Sequence, residues 1–221
     1  MSEETPARKS TLYILSAPSG GGKSSLARAL VDRVEDTVIS VSHTTRPQRT
    51  GEAHGVDYFF VDQPEFEQMI KDDGFLEYAR VFDHWYGTSR KAVEQAIVQD
   101  RSVMLDIDWQ GARQVRRAFP GAVSVYILPP SVEALAQRLA DRGRDTPDEI
   151  ASRLSEAASE MSHHVEYDHV IVNADFAAAL VELRALVLNG VAPVSARGFN
   201  IEALVHCAKN VRLKTSETAN L

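Results

Sequence analysis

The residues of this chain best suited to chemistry are a run of glycines closed by a lysine and a hydroxyl: Ala17, Pro18, Ser19, Gly20, Gly21, Gly22, Lys23 and Ser24. Without Cβ atoms, glycines let a backbone curl with its N–H groups inward and approach a polyphosphate closely. The lysine can then reach the terminal phosphates, and the serine hydroxyl is placed to ligate Mg²⁺. The spacing departs from G-x-x-x-x-G-K-[ST] at one position, where Ala17 replaces the first glycine. Pro18 favours an extended Ala17, which needs no positive φ. A flexible linker is the plain alternative, but linkers do not sit between an apolar strand and an amphipathic helix.

Two sets of arginines could meet further anions. Arg46 and Arg49 flank Pro47, and Tyr58 and Tyr86 could add hydroxyl donors. Arginine forks match phosphate oxygens, so these four suggest a second phosphate site, against the alternative of a solvated basic turn. Arg138 and Arg142 are four apart on one helix face, and Gly143 allows a turn before a second helix brings back Arg153. With Arg144, these could form a helical lid that neutralises a transferring phosphoryl group and excludes water, or simply a charged solvated face. Glu77 and Asp106 lie in apolar, strand-like surroundings where an unpaired charge is costly. Such acceptors suit the paired N–H donors of guanine; Asp106 could instead hold a Mg²⁺ water, and a cap or salt bridge is the alternative for both. The pair His163-His164 has no third ligand at helical spacing and reads as surface or packing histidines.

The elements that position these groups alternate. Strand patterns at Leu12–Ser16, Val38–Ser42, Val103–Asp108, Val123–Leu128 and His169–Val172 are separated by helical patterns opening at Lys23, Ser89, Ser131, Thr146 and Phe176, with another through Ala112, Val115 and Phe119. This rhythm predicts an α/β fold with a parallel sheet covered on both faces. Between Thr44 and Arg90 it breaks into short strands around Tyr58–Val61 and Phe75–Val81, with a helix at Pro64; HWYGTS, residues 84–89, suggests a turn. This part reads as an inserted lobe. Beyond Asn189-Gly190 the chain looks irregular, with one short helix near Ile201–Lys209.

The chain has 221 residues, 31 acidic against 24 basic, and a net charge of −7. That balance argues against nucleic acid or a membrane surface as the main partner. A single cysteine, Cys207, excludes an intrachain disulfide framework and a cysteine-rich metal site. No apolar run approaches the roughly 18 residues of a membrane span, and the polar opening MSEETPARKS carries no secretory signal, so a cytoplasmic location is expected.

The motifs SAPSGGGKSS, VSHTTRPQRTGEAHGVDYFFV, FLEYARVFDHWYGTSR, LDIDWQGARQVR, LPPS, RLADRGRD and YDHVIVN, in this order from Ser10 to Val187, closely resemble the bacterial guanylate kinases. The resemblance implies a P-loop three-layer fold: core at 10–43, 91–137 and 155–188, NMP-binding lobe at about 44–90, and helical lid at about 138–154. Residues 1–9 would be a disordered lead-in and 189–221 a C-terminal tail. It implies ATP as donor with Mg²⁺, GMP as acceptor, and a place in purine nucleotide metabolism. ATP would be held by Ala17 to Ser24 and Asn173, with Ser24 on the metal. GMP would be held by Ser42, Arg46, Arg49, Glu52, Tyr58, Glu77, Tyr86, Gly87, Thr88 and Asp106, and catalysis would draw on Lys23, Arg46, Arg138, Arg142 and Arg153. Two other readings are a non-catalytic guanylate-kinase-like binding module, which the intact Gly22-Lys23-Ser24 opposes, and a P-loop kinase for another phosphorylated acceptor, which Glu77 and Asp106 oppose. Homodimers or higher oligomers are left open.

Overall fold

In the apolar run Leu12–Ser16 every residue is buried, forming strand β1. The computed structural model describes residues 10–81, 83–141 and 146–218. Strand β2 (Thr37–Ile39), a short β3 (His43–Thr44), β4 (Phe59–Phe60), β5 (Phe75–Val81), β6 (His84–Ser89), β7 (Ser102–Asp106), β8 (Val123–Leu128) and β9 (His169–Val172) follow β1. A five-stranded sheet runs β2-β7-β1-β8-β9 and a four-stranded one β4-β3-β6-β5. Parallel pairing of β2 with β7 and of β8 with β9 matches the expected α/β class. The apolar runs of β7 and β8 are almost wholly buried, as parallel strands covered on both faces must be.

Two compact units emerge. The first comprises the described part of Met1–Ile14, Glu35–Asp106 and Gln110–Val123. It contains the four-stranded sheet with helices α2 (Gln63–Lys71), α3 (Arg90–Val98) and α4 (Trp109–Ala118). Asp62 caps α2 by accepting from the Glu65 N–H at 2.8 Å, and Ser89 caps α3 through the Ala92 N–H. The stretch HWYGTS is not a turn but strand β6, antiparallel to β5. Its glycine answers a close approach: a Cβ on Gly87 would stand 2.8 Å from the Phe75 ring and 3.0 Å from that of Phe66. The reversal is made earlier, where Asp83 takes φ 65°. The run Val38–Ser42 likewise divides: β2 ends at Ile39, and Ser42 stands just ahead of β3 in the other sheet.

The second unit comprises Leu15–Val34, Ile107–Trp109 and the described part of Ser124–Leu221. Around β8 and β9 it carries α1 (Lys23–Val31), α5 (Val132–Asp141), α6 (Pro147–Ser162), a 3-10 turn (His163–Glu166), α7 (Phe176–Asn189) and α8 (Ile201–Thr218). Thr146 and Glu149 close a reciprocal capping box on α6, with the Thr146 N–H donating to Glu149 at 2.7 Å. Helix α8 is longer than the short helix expected near Ile201–Lys209. Its Leu204, Val205 and Ala208 join Leu135, Leu139, Ala157 and Met161 in one buried cluster.

Because Leu204 is only 6% exposed within that cluster, Leu204→Ala should lower unfolding stability by roughly 2–5 kcal/mol. Urea denaturation would measure it, and an unchanged midpoint would show that α8 contributes nothing to the unit.

Candidate functional site

In the second unit, β1 runs through a glycine loop into α1. Gly22 caps α1 with φ 95°, left-handed, and Gly20 has φ 88°. Only glycine suits position 22, because a Cβ there would also meet the Asn173 Nδ2 at 2.4 Å. Asn173, directly after β9 and 3% exposed, donates from that nitrogen to the Gly21 carbonyl at 3.0 Å. Arg138, near the end of α5, donates to the Asn173 backbone carbonyl at 2.7 Å. Within the loop the Gly21 N–H donates to the Pro18 carbonyl at 2.8 Å, so Ala17 and Pro18 form the start of a tight turn.

Lys23 donates to the Ile107 carbonyl at 3.2 Å. Ser24, next to it in the first turn of α1, is exposed. Ser19 is held twice from α6: Arg153 donates to its hydroxyl at 2.8 Å, and its own N–H donates to the Glu160 carboxylate at 3.1 Å. Glu160 was not among the residues singled out by sequence. Its carboxyl is pushed up to about 7, first by burial and then by Glu156 and Asp108, while the Ser19 N–H and Lys23 pull the other way. A signal existed in the spacing, since Arg153, Ala157 and Glu160 fall at i, i+4 and i+7 on one helix face. Arg142 lies outside the described residues.

The first unit gathers the other predicted residues. Arg46 forks onto Glu52, with Nη2 2.8 Å and 3.0 Å from the two carboxylate oxygens, and the Arg49 N–H donates to Glu52 at 2.9 Å. The side chains of Arg46 and Glu52 are 10% and 9% exposed. Burial opposes both charges, yet each is favoured by the other: Arg46 is raised above and Glu52 held below its ordinary value. The Arg46 guanidinium lies 5.4 Å from the Tyr58 ring centre, and the Tyr58 and Tyr86 rings meet edge-on at 5.9 Å. Burial, then the charges of Asp106 and Tyr86, raise the Tyr58 hydroxyl far above its usual range. Asp106, ending β7, therefore belongs to the same electrostatic neighbourhood.

Glu77 and Thr88 face each other across β5 and β6, just past an irregularity in register that re-aims Glu77. Glu77 is 4% exposed, and the fully buried Thr88 hydroxyl donates to it at 2.6 Å. Gly111 of α4, which the sequence reading passed over, makes room: a Cβ there would stand 2.3 Å from Glu77 Oε2. Ser42 is buried, and its carbonyl accepts from Phe59 at 2.9 Å. Gly87 pairs with His43 and Tyr86 with Thr44. The pair His163-His164 is taken up locally, His163 stacking on Trp109 at 3.7 Å and bonding Glu166, His164 bonding the Met161 carbonyl.

Comparison with known proteins adds to this geometry. A family model described as guanylate kinase matches residues 9–189. A guanylate kinase of Methylococcus capsulatus is 58% identical over 176 residues, 80% of this chain and 86% of that protein. One of Escherichia coli K12 is 54% identical over 179 residues, again 80% and 86%. The crystal structure of guanylate kinase from Anaplasma phagocytophilum superposes with a TM-score of 0.68 at 37% identity, covering 81% of this chain and 85% of the other.

The Arg46–Glu52 pair sets a pH dependence. Since the folded value of Glu52 is lowered from 4.5, its stabilisation is present above that pH and is lost as pH falls through the folded value. Glu52→Gln should therefore be less stable than wild type at pH 7, by roughly 1–3 kcal/mol. The gap should close toward pH 3 in denaturant unfolding series, whereas a constant gap would show that the charge of Glu52 is not what matters.

Proposed function

The chain belongs to the guanylate kinase family, and we propose that it transfers the γ-phosphoryl group of ATP to GMP, giving ADP and GDP. The glycine loop carries the reading. Two left-handed glycines, a lysine and the start of a helix form an anion cradle that a packed core has no need of. Ala17 to Ser24 take the donor phosphates, and Asn173 stands on the adenine side.

GMP falls to the first unit. Arg46 and Arg49, with Tyr58 and Tyr86, take its phosphate, and Glu52 pre-sets the Arg46 fork. Glu77 and Asp106 accept from the guanine N1–H and N2–H, aided by Ser42, Gly87 and Thr88. Adenine offers no N1–H to such acceptors, and a ribose phosphate offers no base at all.

In the transfer an oxygen of the GMP phosphate attacks the γ-phosphorus, the bond from that phosphorus to the bridging oxygen breaks, and ADP leaves with the electron pair. The attacking oxygen is already anionic, so no protein base is required. Lys23, Arg138, Arg153 and Arg142 neutralise charge gathering on the transferring group. The Ser24 hydroxyl, exposed at the start of α1, is a hard oxygen donor of the kind Mg²⁺ takes alongside phosphate oxygens and water. When bound there with ATP, Mg²⁺ supplies charge neutralisation on the phosphates. No described helix is long and apolar enough to cross a membrane.

An ADP-release assay with ATP and Mg²⁺, offering GMP, AMP, UMP, CMP and ribose phosphates, tests this reading. Turnover should be confined to GMP; turnover with any other acceptor, or none, would overturn it. Lys23→Ala should cut turnover by roughly a hundredfold to a thousandfold, leaving GMP affinity by calorimetry nearly unchanged. Gly111→Ala should do the reverse, raising the KM for GMP by displacing Glu77 while the KM for ATP stays; equal changes in both would count against the assignment of Glu77.

A further inference from the structure

The Ser19 N–H lies within the donor loop, where an N–H would be offered to phosphate oxygen, yet it is spent on a carboxylate of this chain. Glu160 is fixed there from several sides. Its backbone carbonyl accepts from the Tyr126 hydroxyl at 2.7 Å, and Arg153, two turns earlier on α6, holds the Ser19 hydroxyl. The charged and titratable groups that act on it are Glu156 on its own helix, Asp108 beyond β7 and Lys23 at the start of α1, with the Tyr126 hydroxyl on β8. Two carboxylates thus act on a third, Lys23 offsets them, and the Arg153 guanidinium stands on the adjoining Ser19 hydroxyl.

A polyphosphate on this loop would bring further negative charge beside Glu160. The phosphate chain adds to the two carboxylates that already disfavour a charge on Glu160, and a proton on that carboxylate relieves the added repulsion. A neutral carboxyl keeps a carbonyl oxygen, so the Ser19 hydrogen bond survives neutralisation. We propose that Glu160 is a positioning residue of the donor loop, holding Ser19 in place, and that donor binding is coupled to uptake of a proton from solvent by its carboxylate. The proposal rests on the reading of the glycine loop as the ATP site. Its upward-shifted carboxyl, about 7 in the free protein, moves higher when ATP binds, so affinity for ATP falls as pH rises through neutrality while affinity for GMP does not.

Glu160→Gln is the discriminating variant, because glutamine is nearly isosteric, still accepts from the Ser19 N–H and cannot titrate. ATP would be titrated calorimetrically into wild type and E160Q at pH 7 in buffers of different ionisation enthalpy. The phosphate chain's own protonation is common to both proteins, so the difference in protons taken up belongs to Glu160. Wild type should take up a substantial fraction of a proton more than E160Q. Across pH 6–8.5 its KM for ATP should rise several-fold relative to that of the variant, with the KM for GMP parallel in the two. Equal proton counts and parallel KM curves for ATP would overturn the proposal while leaving the donor site standing. No ATP binding by wild type would remove both. Should E160Q fail to fold, carbon-13 observation of the glutamate carboxyls in wild type decides: one titrating near neutrality must shift upward with ATP, and none doing so overturns the coupling.

Discussion

The glycine loop of the second unit depends on one hydrogen bond, from the Asn173 side chain to the Gly21 carbonyl. It ties a loop of three glycines to the residue that follows strand β9. Glycine loses more conformational freedom on folding than any other residue, so a cradle built from glycines needs an external clamp to exist before its ligand arrives. The clamp is itself clamped, since Arg138 grips the Asn173 carbonyl from α5. The cost is strictness: at position 22 neither the left-handed backbone nor the amide 2.4 Å from a would-be Cβ tolerates a side chain.

The first unit meets a related difficulty differently. Its Arg46 carries a charge although its side chain is only 10% exposed. Glu52 keeps it so, both of its carboxylate oxygens accepting from Nη2 while Nη1 donates to the Pro47 carbonyl, and the rings of Tyr58 and Phe60 lie beneath the guanidinium. Glu77 is buried as well, and the Thr88 hydroxyl donates to its side chain at 2.6 Å, which fixes its orientation. Each unit thus holds these polar groups with partners of its own.

Much of this was legible in the sequence because it depends on short-range pattern. The loop, the strand before it and the helix after it are consecutive, and the helix starts at Ser131 and Thr146, where a serine and a threonine cap the helix, are read from adjacent residues. What escaped was decided by packing between distant segments. HWYGTS reads as a turn because glycine ordinarily marks one, but Gly87 is small on account of Phe75, a neighbour only across the hairpin. Gly111 is silent for the same reason, its counterpart Glu77 lying on another element. Helix α8 looked like a loose end since its apolar residues are few, and its burial is evident only beside α5 and α6. Glu160 looked like one more exposed acid on a charged helix until the fold set it against Ser19.

Helix α6 also has a mechanical consequence. Its sixteen residues form a rod of about 24 Å, with a capping box at its start and two side chains, one near its middle and one near its end, that grip a single serine. Arg153 and Glu160 lie two turns apart, so a roll or slide of the rod must either shift Ser19 or break one of its two bonds to α6.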